Sequence, residues 1–208
     1  MGKVDENKQQ KEDALFRSAY NLFMSKGISK TSIHDIVQDA GVAKGTFYLY
    51  FKDKFEIRDR LIARTAEKLF KAANTELKKV NVPKFEDKII FIADHIINAL
   101  NEDKTLLTFI SKNLSWGIFR EALTSNIAED DVNFKDVFYS MIDCAEYEIE
   151  EPEIMLFLIT ELVSSTCYSA ILYEEPANIE TIKPYLFTTI RGIIRQHETA
   201  PKAQAEMQ

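Results

Sequence analysis

The chain has 208 residues and a formal net charge of −7; 46% are hydrophobic, 28% are charged, and only 6 Gly and 5 Pro are present. That is globular composition, enough for one core of ordinary size or a small head on a larger body, and the scarcity of helix breakers favours an all-helical chain. An acidic molecule repels phosphate at long range, so indiscriminate binding to nucleic acid is excluded and any such contact must be local.

No uninterrupted apolar run approaches the roughly 20 residues of a membrane span, and Met1 to Gln10 is polar where a secretory signal needs an apolar core. A cytoplasmic protein with no membrane partner is expected. Cys144 and Cys167 lie in separate helical patterns, without metal-ligand or disulfide spacing, and both read as core thiols. The first 54 residues carry nine Lys/Arg against seven Asp/Glu, a local +2 that leaves −9 for the rest.

Residues 1–8 are polar and uncapped and read as a flexible arm, with Lys3, Lys8 and Lys11 able to lie along a phosphate backbone. A first helix follows to Lys26, its apolar positions Leu15, Ala19, Leu22 and Phe23 at helical spacing, with Gly27 as a left-handed C-cap. Thr31 or Ser32 caps a short second helix, Asp35 suits its positive end, and Gly41 stops it. A third short helix, Ala43 to Tyr50, comes after only a tight turn, which is the helix-turn-helix pattern. Residues 9–54 are therefore expected to form a small three-helix head.

Asp53 caps the next helix, with Glu56 reaching back. The stripe Ile62, Ala66, Leu69, Ala73, Leu77 and Val80 runs along it until Pro83. Beyond Pro83 the helical period recurs without a convincing strand. One helix carries Phe85, Ile89, Ile92, Ala93, Ile96 and Leu100; Leu106 to Leu123 marks one long or two short ones; another carries Phe134, Phe138, Met141, Ile142 and Ala145. Pro152 suits the first position of a helix to Tyr173 that is apolar almost all round. In the last helix, Ile179 to His197, Pro184 either makes a kink or marks the true start. Residues 55–197 are expected to form a helical effector-binding and dimerisation body, and residues 198–208 a flexible tail.

The run Gly41-Val42-Ala43-Lys44-Gly45-Thr46-Phe47-Tyr48-Leu49-Tyr50-Phe51-Lys52-Asp53-Lys54 resembles the DNA-reading signature of TetR-family transcription regulators. Thr31 to Val37 is similar to the family's preceding helix, and Ala19, Phe23 and Gly27 fall where its first helix places such residues. The likeness covers about Phe16 to Glu56. One departure is Ala43, where the family commonly has Ser or Thr, so the third helix lacks a side-chain cap worth about 1 kcal/mol.

Sequence-specific DNA binding separates phosphate contacts from base contacts. The amides opening the second helix, with the Thr31 and Ser32 hydroxyls, form a candidate phosphate site. Lys44 opens the recognition helix, where a lysine donates to guanine O6 and N7 in the major groove. Gly45 allows close backbone approach, and Thr46 offers a hydroxyl and a methyl. Tyr48 and Tyr50 lie outward, and the resemblance implies phosphate contacts from both; Lys54 is a further phosphate clamp. Phe47 and Phe51 read as head core, and His34 as a solvated helix residue.

The helices at 152–174 and 179–197 carry more apolar surface than one core absorbs, which points to a homodimer. Small residues at Ser164, Ser165, Ser169 and Ala170 permit close helix approach. The resemblance implies a four-helix interface that sets two heads on a pseudo-palindromic double-stranded operator. It also implies a small, hydrophobic effector that releases a repressor from DNA. Candidate pocket residues are Phe91, Phe109, Asn113, Trp116, Phe119, Phe138, Tyr139 and Tyr168. The alternatives are an architectural DNA-binding protein without effector and an all-helical enzyme. No metal-ligand spacing, nucleophile with its base, or phosphate loop occurs, so no catalytic residue, metal or cofactor is expected.

Overall fold

The first helix, α1 (Lys3–Lys26), buries Leu15, Phe16, Ala19 and Phe23 on one face. It ends where Gly27 turns left-handed at φ +82°, its N–H donating to the Phe23 carbonyl at 3.1 Å. In this computed structural model, which describes residues 3–111 and 134–202, the helix begins well before the expected end of the N-terminal arm. A tertiary contact accounts for part of the difference, because the Tyr50 hydroxyl donates to the Lys8 carbonyl at 2.9 Å.

Ser32 caps α2 (Ile33–Asp39), and Gly41, at φ +67°, starts the turn into α3 (Lys44–Tyr48). The buried Ser18 hydroxyl, donating to the Ile36 carbonyl at 2.9 Å, ties α1 to α2. Ala43 opens α3 with no side-chain cap, as its sequence dictates. Phe47 and Phe51 are fully buried; the rings of Phe16 and Phe51 meet edge to face at 5.1 Å.

Asp53 caps α4 (Lys54–Leu77) through the Phe55 and Glu56 amides at 2.8 and 2.9 Å, while Glu56 reaches back to the Lys52 amide at 2.7 Å. This helix buries far more than one stripe, including Ile57, Ile62, Phe70 and Ala73 with the polar Glu67 and Asn74, because α1 packs on one side and the body on another. It also stops at Leu77, short of Pro83, and leaves Val80 47% exposed.

The body contains α5 (Phe85–Glu102), α6 (Lys104–Ser111), α7 (Phe134–Asp143), α8 (Pro152–Leu172) and α9 (Ile179–His197). Pro184 lies inside α9, whose start is set instead by Asn178, its Oδ1 accepting from the Thr181 amide at 3.0 Å. The buried Lys183 ammonium joins α9 to α5 through Asp94 at 3.1 Å, and Arg191 does so through Asp87 at 2.7 Å. By length and composition α8 would suffice to cross a membrane, which corrects the expectation that no segment approaches this. Only 33% of its most apolar window is buried.

Two further readings change. Tyr147–Ile149 (β1) pairs antiparallel with Glu198–Pro201 (β2), where no strand, and only a flexible tail, is expected. Capping holds this segment in place: Lys202 donates from its ammonium to the Ile142 and Asp143 carbonyls at 2.7 and 3.1 Å, the open end of α7. Cys144 lies just beyond α7 and is exposed, so only Cys167 is a core thiol. Burial pushes the Cys167 thiol up to about 12, which leaves it inert.

Candidate functional site

On α3, Phe47 is the anchor, with no exposed surface, whereas Lys44 and Gly45 are exposed, and Tyr48 and the capping Leu49 just beyond it are 52% and 78% exposed. A lysine, a glycine and a phenol thus stand on one short helix whose orientation is pinned by one aromatic ring. Thr46 is half-buried. At Gly45 an added Cβ would meet nothing within 4 Å and its φ is not left-handed, so the fold makes no demand for glycine there. Glycine inside a helix costs roughly 0.5–1 kcal/mol against alanine, and a flat surface is what that cost provides.

Other predicted DNA contacts are engaged internally. Thr31 is 1% exposed and its hydroxyl donates to the Gly27 carbonyl at 2.9 Å, so it closes the α1–α2 turn instead of facing a phosphate. The amides opening α2 are partly spent: Asp35 accepts from the Ser32 amide at 2.8 Å, and Ser32 Oγ accepts from the Asp35 amide at 3.1 Å. Ser32 itself is exposed, with its hydroxyl shared with the Asp35 amide and carboxyl. Tyr50 turns inward and gives its proton to Lys8. Lys54 donates to the Ile28 and Thr31 carbonyls, both at 3.0 Å, and therefore clamps the loop between α1 and α2.

Leu49 and Lys52 escape the sequence reading. Leu49 breaks the apolar-inside pattern, which was the available signal; Lys52 is exposed beside it. The Asp35 carboxyl is held well below the usual carboxylate range, first by the Ser32 amide, then by the Lys26 ammonium at 2.9 Å and the Ser32 hydroxyl. A depressed folded pKa contributes stability that is full above the unfolded value of about 3.9 and fades as pH falls below it. Asp35→Asn is accordingly expected to lower the melting temperature at pH 6, with the gap to the parent closing as pH approaches 2; a gap constant across that range would refute the assignment.

Behind the head, α4 forms one wall of an apolar cavity of about 150 Å³. Ala66, Leu69 and Phe70 face Ile89, Ile92, Ala93 and Ile96 of α5, Phe134, Phe138 and Met141 of α7, and Leu156, Ile159 and Val163 of α8. Glu67 also lines it, with its carboxylate paired to Lys71 at 3.2 Å, and Thr160 and Ser164 add hydroxyls. Of the predicted pocket residues, Phe138 is in this wall. Phe91, Phe109, Tyr139 and Tyr168 are not: Phe109 packs on Tyr20 and Phe23, and Tyr168 meets Tyr173. Asn113, Trp116 and Phe119 lie outside the described residues. The cavity is built mainly from aliphatic side chains, so most of the aromatics singled out in the sequence lie outside its lining.

Residues 15–61 match the family model described as bacterial regulatory proteins, tetR family. An uncharacterized HTH-type transcriptional regulator of Bacillus subtilis, YvdT, is 40% identical over 68 residues, 33% of this chain and 33% of that protein, so this match spans a third of the relative's length. The probable HTH-type transcriptional regulator YttP of the same organism is 22% identical over 91% of this chain and 96% of its own. Among solved structures, the transcriptional regulator FadR from Bacillus subtilis in complex with stearoyl-CoA superposes with a TM-score of 0.58 at 17% identity, over 86% of this chain and 97% of that one.

Proposed function

The chain belongs to the TetR family and is a DNA-binding transcription regulator; on that premise we propose that it is a cytoplasmic, homodimeric repressor released from its operator by a small apolar effector. The observation that carries this reading is the apolar cavity set against α4, the helix that leaves the DNA-reading head.

Lys44, Gly45, Thr46 and Tyr48, with Ser32, are the contacts assigned to the operator. Lys44 takes a base edge, and the hydroxyls of Ser32 and Tyr48 take phosphates. Lys54 acts indirectly, by holding the α1–α2 loop. Its clamp lies at the start of α4, and the cavity wall begins at Ala66, roughly 18 Å further along at 1.5 Å per residue. A ligand that needs more room than the empty cavity displaces α4, and with it the clamp and the head. It thus favours head spacings that do not fit DNA. That a FadR of this fold is complexed with stearoyl-CoA supports a ligand with an apolar chain.

The dimer is assigned to α8 and α9. On α8, Ile154, Leu158, Ser165 and Ser169 are exposed along one stripe; on α9, Tyr185, Thr188, Thr189 and Gly192 are. An added Cβ at Gly192 meets nothing within 4 Å, which leaves room for a second helix at close range.

Selection of bound DNA from a random pool, followed by titration of candidate apolar compounds into the complex, tests the whole reading. Failure to enrich a two-fold symmetric sequence would overturn it. On the selected operator, Lys44→Ala is expected to cost roughly 1–3 kcal/mol of binding and to relax base preference, with the melting temperature unchanged. Lys54→Ala is expected to lower the melting temperature as well, by the loss of hydrogen bonds from a charged donor worth roughly 1.5–3 kcal/mol. Equal losses on operator and random DNA for Lys44→Ala would remove it from base reading.

A further inference from the structure

The apolar cavity behind the head has one titratable group among its lining residues, the Glu67 carboxylate. The rest of the lining is aliphatic side chains, the rings of Phe70, Phe134 and Phe138, and the hydroxyls of Thr160 and Ser164. Glu67 is 8% exposed and pairs with the Lys71 ammonium at 3.2 Å, one helical turn further along α4.

A carboxylate taken out of water is costly unless it is paired. The pairing here comes from outside the cavity: the Lys71 side chain is 30% exposed and is not part of the lining, whereas Glu67 is. A lysine on its flexible stem returns its ammonium to water at little cost, and pairs at i,i+4 are among the weaker ion pairs. Lys71 thus compensates Glu67 until a ligand cation takes its place.

The sign of that charge selects the ligand. An ammonium brought into an apolar space needs a counter-charge and acceptors for its protons. Glu67 supplies the charge, and the Thr160 and Ser164 hydroxyls add acceptor oxygens to the same lining. Phe70 and Phe134, with ring centroids 4.0 Å apart, and Phe138, stacked on Phe134 at 6.2 Å, supply aromatic rings, whose faces attract cations. An acid would meet a like charge where repulsion is least screened. Size narrows the class further, because a cavity of about 150 Å³ with walls of this kind holds one benzene-sized group.

We propose that the effector is a compact apolar amine, whose ring or short branched chain fills the cavity and whose ammonium replaces that of Lys71 at Glu67. This rests on the reading of the cavity as the effector site, and it names the polar end that the reading leaves open. Glu67 lies on α4, the helix that leaves the head, so the exchange of cations takes place on the element through which the head is moved.

The test is calorimetric titration of the full chain at neutral pH and fixed ionic strength with three probes of similar size: benzylamine, benzyl alcohol and benzoate. Benzylamine is expected to bind about tenfold tighter than benzyl alcohol, or better, and benzoate to give no saturable binding over the same concentrations. Glu67→Gln keeps the shape and removes the charge, and is expected to bring that ratio below about twofold. Lys71→Gln removes the competing ammonium and is expected to tighten benzylamine roughly threefold with little change for benzyl alcohol. Because its effect runs in the opposite direction, it keeps the charge argument testable should Glu67→Gln fold poorly. Ala93→Leu, which narrows the cavity, is expected to weaken benzylamine and benzyl alcohol alike. If benzyl alcohol binds and benzylamine binds no tighter, or if folded Glu67→Gln keeps the full ratio, the amine falls and the cavity reading stands. Benzylamine binding that is indifferent to Ala93→Leu would place the amine outside the cavity and refute the proposal, and tightest binding by benzoate would refute it by sign. If no probe binds, the cavity reading falls and takes the amine with it.

Discussion

Phe51→Ala is expected to destabilise the DNA-reading head by roughly 3–5 kcal/mol, the range for deleting a fully buried phenylalanine. The ring is 1% exposed and central: Phe16 meets it edge to face at 5.1 Å, Phe47 lies 5.5 Å away, and the Arg60 guanidinium covers it at 5.2 Å. A loss of that size is a large part of the roughly 5–15 kcal/mol that hold an ordinary domain together. The apolar core runs on from head to body, but α5, α7 and α8 also bury apolar residues against one another, so the damage should be greatest in the head. Hydrogen exchange would show protection lost in α1 to α3 and kept in α5 and α8, together with loss of DNA binding. Uniform loss of protection through both regions would show that head and body unfold as one unit, and a change below about 1 kcal/mol would show that Phe51 is not central to the head core.

Leu158→Glu is expected to convert the proposed dimer to a monomer. Leu158 is 40% exposed on the α8 stripe, next to Ile154 at 49%. In a two-fold interface one substitution appears twice, and it places two like charges where the parent has two leucines. Like-charge juxtaposition costs several kcal/mol; about 4 kcal/mol weakens dimerisation roughly a thousandfold. Sedimentation at micromolar concentration reads the result, and operator affinity should fall with it because a single head reads half a site. A variant that stays dimeric would move the interface off this stripe, and a parent that is monomeric would remove the dimer altogether.

The head was legible because its determinants are local. Ser32 and Asp35 cap α2 from three residues apart, Gly27 and Gly41 turn where a left-handed residue is needed, and Asp53 caps α4. Each of these acts within about one helical turn, so the order of residues along the chain encodes it. The same locality explains why Phe47 and Phe51 could be assigned to the core and Lys44 and Gly45 to the surface.

Long-range packing decided the rest. Tyr50 and Lys54 have the chemistry of phosphate contacts, yet each donates to a carbonyl far off in the sequence, 42 and 26 residues away, and Thr31 is withdrawn by its burial. The strand at Glu198–Pro201 pairs with Tyr147–Ile149, and Lys202 beside it caps α7 from 60 positions later in the sequence. Cavities have the same character, being the spaces that remain when helices of fixed length cross. Their walls come from whichever side chains meet there, which is why α5 aliphatics line this one instead of the conspicuous aromatics. By itself the sequence determined the helical class, the helix-turn-helix with its capping, and the exposed face of the recognition helix, all products of neighbours within a turn. Only the tertiary structure decided which polar groups remain free to meet DNA, where the apolar cavity lies, and that the Glu67 carboxylate lines it, because each depends on residues brought together by packing.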